Sequence, residues 1–467
     1  MSEEIQKFIG DQLSVWPLAA ANFRALKQVR EKSVRIGQIE ARVQFNPERV
    51  ASSTANPEKI DRPCFLCESG RPREQFHLPF EGRKGRRYHV QINPYPIFPG
   101  HLVVARDLHT PQSIWHNFVD MMDFARENPE YLVYYNGPYA GASAPDHMHF
   151  QAVPANALPL RRAIDDWLDS GLAQPLTVQQ DARLYHYEGY CRGIYALRAA
   201  TPKSLAKLFY RLVDCAPYSD PEPLLNLYVY TCGGEFRCFA ALRRALRSHH
   251  YAAGESCITC GAAEMAGVFV APFEKDFEAA CPEQLAEILS EVGLSEEDER
   301  MVSWRLNRTQ PKIDVKVLWG KQIRFEMISD GAGPQQLTLS PDGKSIMYGG
   351  AQYDELYFDS VTRSTNFAEP SFVLYTEFGP FRYAGSVKFY VEDGDIVASN
   401  HVGVENYMLA SLSRKSEVTD EEVISLRTEL LGAPSALLPA YAGLTFGINP
   451  AVRDALDRTW GKTLSEK

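Results

Sequence analysis

The sequence predicts an α+β fold with two antiparallel sheet units and their helices, followed by a small mostly-β module and a helical tail. Two observations lead to this prediction. Over roughly the first 300 residues, strand-like segments alternate with helices of moderate length. After about residue 312, short strand-like segments are separated by Gly, Asp and Asn, which is typical of a small all-β unit.

The first part of the chain supplies the elements of the first sheet unit. Residues 1–36 are predicted to be helical, because apolar residues recur every three to four positions. The prolines of residues 93–100 favour an extended loop. Alternating or continuous apolar segments predict strands at 41–50, 86–96, 101–109, 131–136 and 147–154, and an amphipathic pattern predicts a helix at 113–128.

Residues 160–300 are interpreted as a degenerate second copy of this arrangement, although the repeat is not visible as sequence identity. The predicted strands here are 224–231, 236–246 and 267–273, and the predicted helix is 282–293. We therefore expect four parts, which cover residues 1–155, 156–305, 306–410 and 411–467.

Composition and charge restrict the class of protein. Hydrophobic residues make up 45% of the chain and charged residues 23%, the balance of a globular protein with sizeable cores. The net charge of -10 argues against general attraction to a nucleic-acid backbone or an anionic membrane. The first residues lack the basic-then-apolar layout of a signal peptide, and no apolar run approaches the roughly 20 residues that span a bilayer. We expect a cytoplasmic protein with neither nucleic acid nor membrane as partner.

The segment that ends at Gln151 carries the chemistry. His147 and His149 are two residues apart, so on a strand they share one face, and Gln151 extends that row. Small residues before them, among them Gly141, let backbone amides approach a phosphate closely. A neutral His149 can attack a nucleotide α-phosphorus while a neighbouring backbone carbonyl fixes its tautomer, and Gln151 can bind the phosphate oxygens. The alternative is two histidines on an ordinary strand.

Cys64 and Cys67 lie two residues apart between turn-forming residues, as in a zinc knuckle. A closed tetrahedral site needs two further ligands. His109 and His147 are the best candidates, and His101 is the rival third ligand. Such a zinc ion would be structural because no coordination position stays open. The alternative is a pair of buried cysteines without metal.

Three weaker features stand beside these motifs. Arg49 follows an Asn-Pro turn near the predicted nucleotide pocket and is a candidate phosphate ligand through its fork of donors, and a solvated surface arginine is the alternative. Asn93 is a candidate contact to the base, and packing of its proline-rich loop against the sheet is the alternative. A conceivable second metal set, with free thiols as its alternative, comprises Cys257, Cys260, His249 and His250.

The pattern Cys-x-x-Cys, a later histidine, and N-G-x(3)-G-A-S-x-P-x-H-x-H-x-Q over residues 136–151 resembles the galactose-1-phosphate uridylyltransferase family of the histidine-triad superfamily. Relatives of that family include diadenosine tetraphosphate phosphorylase and the GDP-hexose phosphorylases. The close resemblance covers about residues 38–155, and residues 225–280 resemble the second half of such proteins more loosely. The resemblance implies two histidine-triad-like sheet units and a nucleotidyltransferase.

The resemblance also implies roles for individual residues. His149 matches the nucleotidylated histidine, and Gln151 matches a phosphate-binding glutamine where the hydrolases of the superfamily carry a third histidine. Asn136 and Ser143 match polar contacts of the loop. The uridylyltransferases have proline directly before the first histidine, whereas here Asp146 stands between Pro145 and His147. This spacing is similar to that of the GDP-hexose phosphorylases, so the identity of the base and of the sugar stays open. The uridylyltransferase zinc ligands match Cys64, Cys67, His109 and His147.

We therefore expect a nucleotidyltransferase or phosphorylase that works by a ping-pong reaction through nucleotidyl-His149, with a structural Zn²⁺. The donor would be a nucleotide sugar or a dinucleoside polyphosphate, and the acceptor a sugar phosphate or inorganic phosphate. The enzyme would thus be a hexose-1-phosphate nucleotidyltransferase or a nucleoside-diphosphate-hexose phosphorylase, as a monomer or homodimer. One alternative is a nucleotide hydrolase, which Gln151 disfavours because an amide activates water poorly. The other is a nucleotide-binding scaffold without catalysis.

Residues 312–410 resemble the start of the sporulation stage II protein D (amidase-enhancer) domain, notably over residues 381–412. The glutamate usual in that domain is not in place, because the sequence reads SLSRKSE there. We expect this truncated module to have a structural or docking role.

Overall fold

The computed structural model confirms the α+β class. The chain forms two compact units, Met1–Phe209 with Cys215–Asn307 and Tyr210–Asp214 with Arg308–Lys467. The boundaries of the four predicted parts stay predictions. The described residues are 3–50, 63–217, 219, 221–306, 312–328, 333–358, 371–432, 443 and 449–459.

The first unit combines short runs of strands with single helices or groups of helices over its described residues. Its described elements begin with α1 (Glu3–Val15), α2 (Pro17–Ala25), β1 (Arg30–Ile36), β2 (Ile39–Phe45), β3 (Leu78–Glu81), β4 (Arg87–Ile92), β5 (Leu102–Arg106), α3 (Phe118–Glu127), β6 (Tyr131–Asn136) and β7 (His149–Pro154). They continue with α4 (Pro159–Asp169), β8 (Thr177–Gln179), β9 (Ala182–His186), β10 (Ile194–Ala199), α5 (Pro202–Cys215), β11 (Leu225–Cys232) and β12 (Glu235–Leu242). The last are α6 (His249–Ala252), α7 (Ala262–Met265), β13 (Val268–Ala271), α8 (Glu274–Ala279), α9 (Pro282–Val292) and α10 (Glu296–Leu306).

The prediction of helix through residue 36 is wrong for its last seven residues. Residues 30–36 form β1, which pairs antiparallel with β2 from Arg30↔Phe45 to Ile36↔Ile39. Val34 and Ile36 are buried while Arg35 is exposed, so the local apolar period is two rather than 3.6. None of the helices in the described ranges is long and apolar enough to cross a membrane.

A ten-stranded sheet dominates the first unit, with the order β3-β4-β5-β7-β6-β11-β12-β10-β9-β8 and every neighbouring pair antiparallel. From its outer edge to the middle, the first half has the order β3-β4-β5-β7-β6 and the second half has the order β8-β9-β10-β12-β11. In both halves the last two strands are therefore exchanged relative to their order in the chain. The halves meet where β6 pairs with β11, from Asn136↔Asn226 to Val133↔Val229. The second half therefore repeats the strand order of the first within one continuous sheet, but the predicted strand at 267–273 lies outside this sheet, as β13.

One face of this sheet is covered by a three-stranded sheet, β1-β2-β13, in which β13 runs parallel to β2. A single core cluster contains Tyr134 of β6 and Tyr228 of β11 together with Val43 of β2 and Val268 of β13. Burial of these alternate residues fixes the register, because a shift by one residue would turn them to the opposite face.

The opposite face of the sheet packs against helices. Phe150 of β7 lies next to Phe124 of α3, with ring centroids 6.0 Å apart. The ring centroids of Phe118 of α3 and Phe209 of α5 are 4.1 Å apart. Because neighbouring residues of a strand point to opposite faces, Phe150 packs on the helices while His149 and Gln151 face the other layer.

The second unit contains two antiparallel sheets, in the orders β14-β23-β22-β19 and β18-β17-β16-β15-β20-β21. Its helices include a buried ion pair, in which Arg427 Nε donates to Glu405 Oε1 at 2.5 Å. Parts of the predicted helical tail, 433–442, 444–448 and 460–467, lie outside the described residues. The elements are β14 (Lys312–Gly320), β15 (Gln322–Met327), β16 (Gln335–Leu339), β17 (Ile346–Tyr348), β18 (Ala351–Tyr353), β19 (Glu355–Phe358), β20 (Phe372–Thr376), β21 (Gly379–Tyr383), β22 (Ser386–Glu392), β23 (Asp395–Gly403), α11 (Val404–Leu412), α12 (Asp420–Gly432) and α13 (Pro450–Arg458).

Leu132→Ala tests the packing at the centre of the ten-stranded sheet. Leu132 of β6 is fully buried in the core cluster. We expect the substitution to lower the free energy of unfolding by about 2–5 kcal/mol, since it removes apolar contacts and leaves a cavity. Urea unfolding followed by circular dichroism measures this. The matched control is Leu172→Ala, at a residue that is 78% exposed, and we expect it to change stability by less than about 0.5 kcal/mol. Equal effects of the two variants would contradict the described core.

Candidate active site

His149 and Gln151 lie on the same face of β7, as predicted. His149 is the first residue of β7 and pairs with Ala105 of β5, while Gln151 pairs with Tyr134 of β6. His149 is buried and Gln151 is half-buried. The row therefore lies in the interior layer between the ten-stranded sheet and the elements that cover it.

The ring of His149 is held in one orientation and one tautomer. Its Nδ1 lies 2.8 Å from the backbone carbonyl oxygen of His147. Because a carbonyl only accepts, Nδ1 carries the proton and Nε2 keeps its lone pair. Burial lowers the pKa of His149 to about 4, so the ring is neutral near pH 7. A neutral imidazole with an available Nε2 is the form that acts as a nucleophile.

Gln112 clamps the backbone at the start of β7, and the sequence analysis missed it. Its Oε1 accepts a hydrogen bond of 2.8 Å from the His149 amide. Its Nε2 donates to the carbonyl oxygens of His149 and Asn136, both at 2.9 Å. Gln112 is 1% exposed, so water cannot reach the His149 amide and the two carbonyl oxygens to replace these hydrogen bonds. One side chain thus ties together the ends of β6 and β7.

The side chain of Gln151 is oriented by two buried partners. The Ile97 amide donates to His101 Nδ1 at 3.2 Å, so His101 Nε2 carries the proton and donates to Gln151 Oε1 at 2.7 Å. The hydroxyl of Tyr134 donates to the same oxygen at 2.9 Å. Burial lowers the pKa of His101 to about 3, which keeps this ring neutral. With its oxygen occupied, the amide group of Gln151 remains as a donor pair.

His101 therefore does not act as the rival metal ligand. Its ring lies against Gln151 and Tyr134. Among the described residues, the cysteine and histidine cluster forms without it. The sequence offered no means to separate the two roles, because it does not show which side chains surround a histidine.

Arg49 and Asn93 both hold the proline-rich loop that follows β4. The guanidinium of Arg49 donates to the carbonyl of Tyr95. The Oδ1 of Asn93 accepts from the Tyr95 amide at 2.9 Å, and its Nδ2 lies 3.4 Å from His101 Nε2. Burial lowers the pKa of Arg49, although nearby Glu264 opposes this effect. The two predicted binding residues thus stand beside the Gln151 row and shape its loop.

The glycine-bearing loop between β6 and β7 requires glycine at one position. Gly141 has φ +101°, and a Cβ added there would lie 2.9 Å from the Cα of Gly261. Any side chain would be strained and would clash with backbone. Ser143 is exposed on the same loop. The loop is therefore tightly packed at Gly141 and open to solvent at Ser143.

Two residues of the second half, Asn226 and Arg243, hold this loop in place through hydrogen bonds. Asn226 Nδ2 donates to Asn136 Oδ1 at 2.9 Å and to the Ala140 carbonyl at 2.7 Å. Arg243 Nη1 donates to the Ala140 carbonyl at 2.9 Å, to Asn226 Oδ1 at 2.9 Å and to the Cys260 carbonyl at 2.6 Å. Arg243 is fully buried, and burial lowers its pKa to about 10. Sequence reasoning missed both residues, because each lies in an apolar strand segment without a motif.

Cys64, Cys67, His109 and His147 come together as predicted, with one ligand atom of each within 4.8 Å of the others. The Cys64 Sγ lies 3.3 Å and the Cys67 Sγ 3.4 Å from His147 Nδ1. The His109 Nδ1 lies 3.2 Å from both Cys67 Sγ and His147 Nδ1. In a tetrahedral zinc site such donors are about 3.4–3.8 Å apart, so the distances between these ligand atoms are close to those around a bound zinc ion.

The outer nitrogen of His147 supports the same interpretation. His147 Nε2 lies 2.7 Å from the carbonyl oxygen of Arg106, so Nε2 carries the proton. The lone pair of Nδ1 therefore points into the cluster, which is the usual arrangement of a metal-binding histidine. These four residues could hold a metal ion. The second conceivable set is not assembled, since His249 and His250 group with Glu287 and Glu291 rather than with the two cysteines.

Sequence comparisons give one match. Residues 8–154 match the family described as a domain of unknown function (DUF4922). This match covers less than half of the chain. No curated protein matches.

Solved structures similar to this chain include the following three. Yeast Ap4A phosphorylase Apa2 has a TM-score of 0.40 and 17% identity, over 60% of this chain and 94% of that chain. A GalT-like protein from Arabidopsis thaliana has a TM-score of 0.30 and 12% identity, over 57% and 100%. A uridylyltransferase has a TM-score of 0.28 and 13% identity, over 54% and 92%. Such low scores identify neither a substrate nor a reaction. No comparison supports the resemblance of residues 312–410 to the sporulation stage II protein D domain.

Gln112→Leu tests the clamp on β7. The substitution leaves the His149 amide and two carbonyls without their partner, at about 1–3 kcal/mol for each buried group that stays unpaired. We expect faster amide hydrogen exchange of residues 147–153 and a lower free energy of unfolding, measured by exchange mass spectrometry and urea unfolding. The control is Gln174→Leu, at an exposed residue, which should leave both quantities unchanged. Unchanged exchange of residues 147–153 in Gln112→Leu would contradict the clamp.

Proposed function

We propose that this chain is a nucleotidyltransferase or phosphorylase in which His149 carries the nucleotide as a covalent intermediate. The observation that supports it most is the state of His149. The ring is neutral, its Nδ1 proton is bound by the His147 carbonyl, and its Nε2 keeps the lone pair. A buried histidine in this state is ready to attack phosphorus without first losing a proton.

In the first half-reaction, Nε2 of His149 attacks the α-phosphorus of the donor. The P–N bond forms as the bond between the α-phosphorus and its bridging oxygen breaks, and the leaving phosphate takes the electron pair. The imidazole becomes positively charged, and the His147 carbonyl stabilises that charge through the Nδ1 proton. In the second half-reaction, an oxygen of the acceptor phosphate attacks the same phosphorus and releases His149 with its lone pair.

Gln151 supplies donors for the charge that develops on the phosphate oxygens. Its oxygen is occupied by His101 and Tyr134, so its amide hydrogens are the part directed to a ligand. A fixed donor in a buried site stabilises the transition state without reorganising at the moment of reaction. The backbone amides of the loop that contains Gly141 and Ser143 would cradle the remaining oxygens. Arg49, Asn93 and Asn136 would contact the nucleotide from the border of the site.

The donor we propose is a nucleotide sugar or a dinucleoside polyphosphate, and the acceptor is a sugar phosphate or inorganic phosphate. A hexose 1-phosphate acceptor would make the enzyme a hexose-1-phosphate nucleotidyltransferase, and inorganic phosphate would make it a phosphorylase. Asn226 and Arg243 reach the glycine-bearing loop from the second half of the same chain. These contacts support the proposal that one chain supplies both halves of the site, as a monomer or within a homodimer.

We further propose a structural Zn²⁺ held by Cys64, Cys67, His109 and His147. Two thiolates and two imidazoles close a tetrahedral site, so the ion supplies no open position and no chemistry to the reaction. It would link the segment of Cys64 and Cys67 to His147, two residues before His149. The ion would thereby hold the His147 carbonyl against His149 Nδ1.

Zinc analysis of the purified protein tests this ligand set. We expect Cys64→Ser/Cys67→Ser to lose one zinc ion per chain relative to the wild type, because a serine hydroxyl is a far poorer ligand than a thiolate. Elemental mass spectrometry after dialysis counts the ions. The matched control is Cys232→Ser, at a half-buried cysteine that belongs to neither metal-binding group of the described residues, and it should keep the wild-type count. Equal zinc in all three proteins would exclude this site.

Intact-protein mass spectrometry tests the covalent intermediate. The protein is incubated with a panel of nucleotide sugars and dinucleoside polyphosphates, and His149→Ala is treated in parallel. We expect an acid-labile gain of one nucleoside monophosphate in the wild type only, since the phosphoramidate forms on the imidazole. The mass of the adduct identifies the base.

Two further variants make the adduct experiment specific. His77→Ala, at an exposed histidine, should form the adduct like the wild type. Gln151→Glu should slow adduct formation by about 10²–10³-fold, because it places a carboxylate where the amide donors stood. No adduct from any donor in a folded, wild-type protein would reject the ping-pong reaction and favour a binding role.

A further inference from the structure

We propose a second divalent-metal site on the first unit, formed by His249, His250, Glu287 and Glu291. One ligand atom from each of these residues lies within 4.8 Å of the others. The histidines open the short helix α6, and the glutamates lie one turn apart on α9. The site is separate from the cluster of Cys64 and Cys67, and it shares no residue with the proposed reaction.

The orientation of His250 is the strongest argument for a bound cation. Its Nδ1 lies 2.8 Å from the carboxylate of Glu255. With an ion bound, that carboxylate would accept the Nδ1 proton and the lone pair of Nε2 would face the ion. Nε2 is a buried atom that lies 3.3 Å from the carboxylate of Glu287, so the ring stands between two carboxylates. A histidine held by a carboxylate on its outer nitrogen is the common arrangement at metal sites.

His249, by contrast, directly contacts one of the proposed ligands. The Nδ1 of His249 contacts the Oε1 of Glu291, and the His249 amide donates to the Oε2 of that glutamate at 2.8 Å. The rings of His249 and His250 lie together, with centroids 4.0 Å apart. One nitrogen of each imidazole and one oxygen of each carboxylate thus lie within 4.8 Å of one another.

Charge also favours a cation at this place. Glu255, Glu287 and Glu291 bring three carboxylates around two imidazoles. With both histidines neutral, as metal ligands must be, the group carries three negative charges that a divalent ion would largely compensate. Nitrogen and oxygen donors without thiolate suit Zn²⁺ and similar divalent ions. The ion would join α6 to α9.

Joining these helices has a structural consequence for the chain that follows α6. That chain continues to Ala262, whose amide donates to Asn136 Oδ1 at 2.8 Å. The carbonyl of Cys260 in the same segment accepts from Arg243. The ion would therefore restrain the segment that leads to these contacts, without touching them itself.

The test counts zinc per chain in the full-length protein, stripped with a chelator and dialysed against Zn²⁺. The variants are His249→Asn/His250→Asn and Cys64→Ser/Cys67→Ser, and the matched control is His401→Asn, since His401 pairs with Asp314 outside both groups. We expect two ions in the wild type and in the control, and one ion in each double variant. Equal counts in the wild type and in His249→Asn/His250→Asn would overturn the proposal and leave ordinary histidine–glutamate ion pairs.

Two further arms keep the result interpretable. Where His249→Asn/His250→Asn does not fold by circular dichroism, Glu255→Gln replaces it. That variant should raise the dissociation constant of the second ion by about 10–100-fold, because loss of an outer hydrogen-bond partner lowers metal affinity by this amount. An unchanged constant in Glu255→Gln would also overturn the proposal. One ion in the wild type and none in the histidine variant would retain the second site while rejecting the cysteine site, so the two failures are distinguishable.

Discussion

The antiparallel pairing of β6 with β11 is the constraint on which the rest of the first unit depends. It joins the two halves of the ten-stranded sheet and sets Asn136 directly opposite Asn226. From there the second half reaches the site: Asn226 and Arg243 bind the Ala140 carbonyl, and Glu222 accepts from the Ile114 amide at 2.8 Å. A register shift of one residue would turn these side chains to the wrong face and separate the loop from its supports.

Burial gives the candidate site its chemical character. Desolvation keeps the rings of His149 and His101 neutral, and each ring is fixed by a backbone group that dictates its tautomer. The nearby cation of Arg243 is bound by carbonyl oxygens and one amide oxygen rather than by a carboxylate. Fixed dipoles of this kind have a larger effect in a buried environment than in water.

The two histidine-containing clusters use the same structural device at different depths. His147 turns Nδ1 inward because the Arg106 carbonyl holds Nε2, and His250 turns Nε2 inward because Glu255 holds Nδ1. In both, the partner of the outer nitrogen determines which lone pair faces the other ligands. Thiolates make the first cluster suitable for a tightly held structural ion, while carboxylates make the second more dependent on local charge.

The sequence by itself determined the elements and residues whose pattern is local. Strand β6 was predicted with its observed bounds, and the two-residue spacing placed His149 and Gln151 on one face of a strand. The four candidate metal ligands, Cys64, Cys67, His109 and His147, were chosen because thiolates and imidazoles are the usual ligands of zinc. Only the tertiary structure decided the rest. Gln112 lies 37 residues from His149, and His101 lies 50 residues from Gln151, so their roles arise from strand register and leave no local signature. Residues 30–36 became a strand because β2 offers a pairing edge and a buried face, which outweigh a weak helical period.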